Sequence, residues 1–215
     1  MPLRVTEPLS DANALSRRTE DAPSPGGSLR CSSPELEQRV RLQEHLDSVV
    51  RRGQFIADLL PGIQDAERYL GTHVPEHIPP NIDIQVLRRE ASRMSILEFY
   101  KAFRGHGKWD FKQVDPKYQD FGNFLFGVLS EAFQETHSLP KGFFLRGAGW
   151  AQKRAGTSRD EWGSWLDLDG NFGDDPMDQM WIRNAFDLLE ELEGFQKDQG
   201  GGIRLSEPSN DMTLP

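Results

Sequence analysis

The sequence has little cysteine and no long apolar run. Its single cysteine, Cys31, cannot form an intramolecular disulfide, so the fold does not depend on an oxidising compartment. No stretch approaches the roughly eighteen apolar residues that a membrane-spanning helix needs. The N-terminus also lacks the apolar segment of a Sec signal peptide. We therefore expect a chain that is made in the cytoplasm and has no membrane span.

Positive charge is also scarce. The chain carries 25 Lys and Arg residues against 34 Asp and Glu residues, which gives a net charge of −9. Non-specific nucleic-acid binding relies on Lys and Arg neutralising phosphates, so this balance argues against it, although a local basic patch stays open. The sequence contains no serine-triad, Cys–His, Walker or dinucleotide-binding pattern, and no Cys/His set with zinc spacing.

The composition divides the chain into a helical middle and two polar ends. Residues 1–32 are rich in Ser, Pro, Asp, Arg and Gly, and we expect them to form a disordered arm. Residues 33–79 form a helical lead-in, residues 80–196 the main domain, and residues 197–215 a disordered tail. The predicted fold is mainly α: a compact helical domain with long loops and room for one short β-hairpin or strand.

Helix signals recur through the middle of the chain. The hydroxyl cap, proline and acid of Ser33-Pro34-Glu35 predict a helix start. The apolar stripe that follows is interrupted at Gly53 and stopped by Pro61-Gly62. Further helices are predicted over about 63–70, 82–103 (capped by Asn81), 143–155 and 176–193. Another begins at Asp120 and ends before a loop over 137–142, and the alternation from Trp109 to Val114 leaves a short strand open.

Two of these helices have clear apolar faces. From Asp120 onward, apolar residues recur at the spacing of one helix face, although Gly122 and Gly127 weaken the helix. A helix that tolerates two glycines usually needs the close approach of another backbone or a ligand. In the helix that begins at Asp120, the predicted buried face consists of Phe121, Phe124, Leu125, Val128, Leu129 and Phe133. In the last helix it consists of Met177, Met180, Trp181, Ala185, Leu188, Leu189 and Leu192.

Aspartates before the last helix are candidates for chemistry. Asp175 followed by proline reads as a helix cap, and Asp178 lies in the first turn, where the helix dipole favours an acid. Capping alone does not explain Asp174 as well. Three carboxylates within five residues would repel each other unless a cation or a base separates them, so both a capping role and a catalytic or metal-binding role stay open.

Further candidates lie at the start of the fourth predicted helix and just before it. Asp120 fits a helix cap, but Asn123 lies one turn inside the helix, where asparagine is a poor helix former. Asp110 and Lys112 flank an aromatic residue in a charged loop. Such a loop is usually a solvated face, but it also suits a polar substrate.

The ordered set of these segments resembles the bacterial polymorphic toxin type 44 family. The resemblance covers residues 80–194 and is fairly specific, because the segments occur in the right order with ordinary gaps. Its segments are Asn81-Ile82, Trp109-Asp110-Phe111-Lys112, Tyr118-Gln119-Asp120-Phe121-Gly122-Asn123-Phe124, Gly147-Ala148-Gly149-Trp150-Ala151-Gln152 and Gly173-Asp174-Asp175-Pro176-Met177-Asp178-Gln179.

The resemblance implies a small helical toxin or effector domain used in competition between bacteria. Such a domain is delivered into a target cell, with a secretion-system component as a further partner, and is countered by a cognate immunity protein. It implies a hydrolase, of nuclease type by family analogy, and a cell-wall glycan hydrolase is the rival. The candidate site residues carried over are Asp110, Lys112, Asp120, Asn123, Asp174, Asp175 and Asp178, and they leave a divalent cation open as a cofactor.

The sequence departs from that family in one place. It has Leu125-Phe126 before Gly127, where the family's pattern has His or Asn followed by Tyr. If that polar residue served as a general base, the base is lost here. A non-catalytic helical interaction module, in which the aspartates only cap helices, is therefore a third reading.

Overall fold

Six α-helices account for most of the described chain. The computed structural model describes residues 33–59 and 73–198, and no β-strand occurs within those ranges. The fold is therefore mainly α, as the periodicity predicted. The helices are α1 (Pro34–Leu59), α2 (Ile84–Ser92), α3 (Ile96–Phe103), α4 (Gln119–His137), α5 (Lys141–Ala155) and α6 (Pro176–Asp198). None of the helices in these ranges combines the length and apolar character that crossing a bilayer requires.

The core is built around the pairing of α4 with α6. The predicted face of α4 is confirmed, because Phe121, Phe124, Leu125, Val128, Leu129 and Phe133 are all essentially buried. On α6 the predicted residues from Ala185 to Leu192 are buried, Met180 and Trp181 are half-buried, and Met177 is exposed at the start of the helix. Aromatic rings fill much of the space between the elements, and Phe99 contacts the rings of both Phe133 and Phe144.

The helical lead-in contributes to the same core. Phe55 of α1 lies edge-on against Phe121 and Phe124, with ring centroids 5.8 and 6.1 Å apart. The Arg52 guanidinium donates to the Val74 carbonyl, which ties the segment before α2 to α1. Helix α1 continues through Gly53 without a break. The predicted helix over 63–70 and the residues of both predicted tails, up to 32 and from 199, lie outside the described residues.

The predicted helix over 82–103 is wrong in its start and its continuity. Asn81 does not cap it, since Asn81 has a left-handed backbone and Asp83 accepts the Val86 N–H at 2.9 Å instead. The helix then stops at Ser92. Ser95 and Glu98 form a capping box that begins α3, and reciprocal capping of this kind stabilises a new helix start over continuation.

The segment from Trp109 to Val114 is not a strand. The Gln113 and Val114 amides donate to the carbonyls three residues earlier, which winds Phe111–Gln113 into a short 3₁₀ turn. Two further 3₁₀ turns follow at Pro116–Tyr118 and Asp160–Trp162. The turns at Phe111–Gln113 and Pro116–Tyr118 lead directly into α4. The loop that carries Lys112 therefore ends at the helix start that carries Asp120 and Asn123.

Candidate functional site

The backbone before α6 is shaped to present Asp174 and Asp178. Phe172 and Gly173 both have positive φ, at 56° and 82°, so the chain reverses sharply before the helix begins. Helix α5 packs against this turn through Gly149, where a Cβ atom would lie 1.9 Å from the Phe172 carbonyl oxygen. The turn and the glycine contact together bring α5 beside the first turn of α6.

The Asp178 carboxylate is held by three side-chain amides. Asn123 donates to its Oδ1 at 2.7 Å, and Gln119, one turn earlier on α4, donates to the same oxygen at 3.1 Å. Gln152 of α5 donates to Oδ2 at 3.3 Å. Side chains from three helices therefore meet at one half-buried carboxylate, and both of its oxygens accept hydrogen bonds.

The amide of Gln152 is itself oriented. The Thr157 hydroxyl donates to Gln152 Oε1, which directs the Nε2 group of Gln152 toward the carboxylates. This matters because a carboxamide has a donor end and an acceptor end, and only the donor end suits an ionised aspartate. Thr157, just beyond the end of α5, thus acts on Asp178 through Gln152.

Asp174 lies beneath Asp178 and is only 2% exposed. Gln179 Nε2 donates to Asp174 Oδ2 at 2.9 Å and also to the Leu145 carbonyl at 2.9 Å. The pKa of Asp174 is raised to about 7, chiefly by burial and also by the Asp178 charge, while hydrogen bonds from Gln179 and Gln152 oppose the rise. Asp174 therefore supports from the core the group formed by Asp178 with Gln119, Asn123 and Gln152, which we call the Asp178 cluster. Substrate has no direct access to Asp174.

The carboxylates nearer the surface are perturbed in the same direction. Burial raises the pKa of Asp178, against the hydrogen bonds from Gln119 and Asn123 and the nearby positive charge of Lys112. Burial also raises the pKa of Asp120, and the neighbouring Trp181 indole N–H opposes that rise.

The seven candidate residues thus fall into two groups. Asn123 and Asp178 are in contact, the Asp178 charge raises the pKa of Asp174, and Asp120 neighbours Trp181, which lies one turn after Asp178 on α6. The charge of Asp175 raises the pKa of Asp178, and that of Lys112 lowers it. Asp120 lies inside the first turn of α4 and is not its cap, because the cap position is Tyr118.

Asp110 and Asp175 have local structural contacts instead. Asp110 is buried and accepts the His106 N–H at 2.8 Å, which closes its own loop. Asp175 accepts the Met177 N–H at 2.8 Å and so caps α6, as its sequence context suggested. Within residues 33–59 and 73–198, no group of three or more His, Cys, Asp or Glu side chains is placed to hold a metal ion.

Sequence reasoning did not single out the glutamines. Gln152 is half-buried against Asp178, and Glu131 is nearly buried and pairs with Arg88 at 2.9 Å. A usable signal was present in α4, because Gln119 and Asn123 are four residues apart and so share a helix face. Two carboxamide side chains on one helix face, opposite an aspartate on the neighbouring helix, predict a carboxylate that accepts hydrogen bonds from both.

The raised pKa of Asp174 predicts a pH-dependent stability. Its unfolded value is about 3.9, so between about pH 4 and 7 the folded state binds more protons than the unfolded state. The free energy of unfolding should therefore fall as pH rises through this window, by an amount on the order of a few kcal/mol. Urea unfolding at pH 4.5, 5.5, 6.5 and 7.5 measures the slope.

The variant Asp174→Asn should flatten that slope in part. A residual slope is expected because burial also raises the pKa of Glu131 to about 7. The matched control is Asp169→Asn, an exposed carboxylate in the loop before α6, which should leave the wild-type slope in place. An unchanged slope in Asp174→Asn would show that Asp174 is not responsible.

Comparisons of the chain with protein-family models, with curated proteins and with solved structures found no match.

Proposed function

We propose that this chain is a toxin or effector domain that hydrolyses its substrate at the Asp178 cluster. The observation that carries the proposal is the convergence of side chains on one half-buried carboxylate. Asn123, Gln152 and Asp178 come from three different segments of the family resemblance, and Lys112, from a fourth, is near enough to lower the pKa of Asp178. Residues that only cap helices would not need to meet in this way.

In the proposed mechanism, Asp178 acts as the general base. Its ionised form is kept in place by the amides of Asn123, Gln119 and Gln152, which are positioning residues because their donors are engaged with Asp178. The carboxylate takes a proton from a water molecule or a substrate hydroxyl as that oxygen attacks. A pKa raised toward the working pH makes a carboxylate a stronger base than an ordinary surface aspartate.

Two exposed groups lie on the segments around this carboxylate: Lys112, whose charge lowers the pKa of Asp178, and Asp120, which neighbours Trp181 of α6. The Lys112 ammonium stabilises negative charge that develops on the substrate. Asp120, whose pKa is also raised, is the acid that protonates the leaving group. This division of roles does not need the polar residue that the family's pattern has at position 125, because Leu125 is fully buried in the core and could not reach a substrate.

A phosphodiester of RNA or DNA is the proposed substrate class. The support is the family analogy together with Lys112, an exposed cation beside a general base. The net charge of −9 implies weak non-specific affinity, so recognition would depend on the local site. A cognate immunity protein and a secretion-system component are proposed partners on the same analogy.

A cell-wall glycan is the second candidate, favoured by a specific feature of the site. Asp120 and Asp178 are two solvent-accessible carboxylates at the starts of neighbouring helices, and glycosidases use a pair of carboxylates on either side of the scissile bond.

Expression in two compartments separates these substrates. The full chain is induced in a bacterium either without a leader, so that it stays in the cytoplasm, or fused to a Sec leader that exports it to the periplasm. Arrest of growth from the cytoplasm with loss of RNA or DNA supports a nuclease. Lysis from the periplasm alone supports a glycan hydrolase, and normal growth in both compartments at good soluble yield would favour the non-catalytic interaction module.

A further inference from the structure

The first half of α1 is not packed against the rest of the described chain. Every residue from 34 to 47 is exposed, and the first buried side chain is Ser48, whose hydroxyl donates to the Glu76 carbonyl. Beyond Ser48 the helix enters the core through Phe55 and Ile56. Helices in proteins gain most of their stability from packing one face against another element. About four turns of α1 are therefore open to a partner that would supply such packing.

These turns carry an apolar face. Its residues, which are between 49% and 70% exposed, are Leu36, Val40, Leu46 and Val50. At about 3.6 residues per turn, the four side chains fall within roughly one third of the helix circumference, and we call them the exposed α1 face. His45 lies on the opposite side of the helix. Apolar side chains gathered on one exposed side in this way are typical of a surface that contacts another protein chain.

The charges along the same turns alternate in a way that selects the partner. Four exposed side chains with the signs minus, plus, minus and plus follow one another, namely Glu35, Arg39, Asp47 and Arg51. In an antiparallel copy of the helix centred on residue 43, position 35 is level with position 51, and position 39 is level with position 47. Each acid is then level with a base. A parallel copy in the same register would instead place each charge level with its like, which is destabilising.

The exposed α1 face follows the same symmetry. In the antiparallel pair its two outer residues, at 36 and 50, are level with each other, and so are its two inner residues, at 40 and 46. Gln43 lies at the centre of the face and meets its own copy at the two-fold axis. Its Nε2 group donates to Asp47 at 2.8 Å, and a carboxamide has a second N–H and an oxygen with which to bond the copy. A polar residue within an apolar seam fixes the register of two helices, so the face is complementary to itself, as a two-fold symmetric contact requires.

We propose that the protein forms a dimer in which the exposed α1 faces of two copies pack together as antiparallel helices centred on Gln43. The apolar residues form the seam between the helices, and the four alternating charges border it with opposite signs at the same level. The first halves of the two α1 helices stabilise each other, while the part of each helix beyond residue 48 stays in its own core. The contact involves no residue of the Asp178 cluster, so it is independent of the proposed hydrolysis.

Sedimentation equilibrium of the full chain between about 10 μM and 1 mM tests the dimer, since weak interfaces dissociate in this range. The wild type should associate to a dimer. Arg39→Asp places like charges level with each other in its own dimer, and so does Asp47→Arg, so each should raise the dissociation constant at least about tenfold. An equimolar mixture of these two variants should associate like the wild type, because opposite charges are level again in the mixed dimer. His45→Glu, an exposed change on the other side of the helix, is the control and should leave the dissociation constant unchanged.

Disulfide crosslinking tests the direction of the two helices. In a Cys31→Ser background, which removes the single native cysteine, Gln43→Cys should form an interchain disulfide on mild oxidation, because position 43 lies opposite its own copy. Leu36→Cys alone should not form one, since the two copies of position 36 are about 21 Å apart along the helix axis. A mixture of Leu36→Cys and Val50→Cys should crosslink. All three positions are exposed, so circular dichroism should show the helix content of the wild type.

Other outcomes overturn the proposal. A wild type that stays monomeric up to about 1 mM would leave the exposed α1 face to a different protein chain. A dimer whose dissociation constant is unchanged in Arg39→Asp and in Leu46→Glu would have its contact elsewhere on the molecule. Single charge variants that are not rescued in the mixture, or a disulfide formed by Leu36→Cys alone, would contradict the antiparallel register.

Discussion

Replacing Gly149 by alanine is expected to destabilise the protein by about 3 kcal/mol or more. The new Cβ atom would lie 1.9 Å from the Phe172 carbonyl oxygen and 2.7 Å from its carbon. That backbone cannot move aside easily, because the Gly173 amide donates to the Trp162 carbonyl and the Ser158 hydroxyl donates to the Gly173 carbonyl. The clash would also displace the turn that presents Asp174, so activity should fall with stability.

Gly147 provides the matched control on the same helix. A Cβ atom there meets nothing within 4 Å, so Gly147→Ala should gain up to about 1 kcal/mol from the better helix propensity of alanine. Helix α4 offers a second pair. Gly127→Ala would place a Cβ atom 2.6 Å from the Ile182 carbonyl oxygen, whereas Gly122→Ala meets open space. Urea denaturation of the four variants measures the contrast, and similar effects within each pair would contradict the close packing.

The variant Asp178→Asn should lose activity without losing stability. A positioned general base contributes roughly 10²- to 10⁴-fold to rate, so catalysis should fall by at least about 100-fold. The folded state disfavours the ionised carboxylate, since burial raises its pKa, and a neutral side chain of the same shape removes that cost. The asparagine keeps the oxygen that accepts from Asn123 and loses the 3.3 Å hydrogen bond from Gln152, so the unfolding free energy at pH 7 should stay within about 1 kcal/mol of the wild type.

Asp187→Asn is the control for this variant. Asp187 is an exposed aspartate on the same helix, so its replacement should leave both activity and stability close to wild type. Hydrolysis by the purified full chain, together with urea denaturation, measures both quantities. A large loss of stability in Asp178→Asn with a proportionate loss of activity would make Asp178 a structural residue.

Periodicity in the sequence predicted the parts of the fold where one helix face is buried along its length. This holds for α4, whose apolar residues recur over the whole helix and all reach the core. It fails for the part of α1 before Gly53, where Leu36 and Val50 are 54% and 70% exposed although they belong to the predicted stripe. The spacing of apolar residues shows which face of a helix is apolar, but contact with other elements decides whether that face is buried.

Local hydrogen bonds explain the other differences. The break between α2 and α3 could have been predicted, since Ser95 and Glu98 have the spacing of a capping box. The alternation from Trp109 to Val114 was too short to indicate a strand, and no neighbouring strand exists within the described residues to pair with it. Backbone hydrogen bonds between residues three apart therefore determine the 3₁₀ conformation of that segment.

The site was only partly predictable. Asn123 and Asp178 lie near the starts of helices whose apolar faces share one core, and the two side chains are in contact. Of the two glycines that weaken α4, only Gly127 makes the expected close approach, whereas Gly122 faces open space. Whether a glycine is needed for packing depends on the neighbouring helix, which its own sequence does not encode.

Growth of bacteria that express the wild type or Asp178→Asn tests the central claim most directly. Both full chains are induced to the same soluble level in the cytoplasm and in the periplasm, with Asp187→Asn as the control. The account predicts arrest in one compartment for the wild type and for Asp187→Asn, and normal growth for Asp178→Asn. Equal arrest by the wild type and Asp178→Asn at equal levels would contradict a hydrolytic site at Asp178.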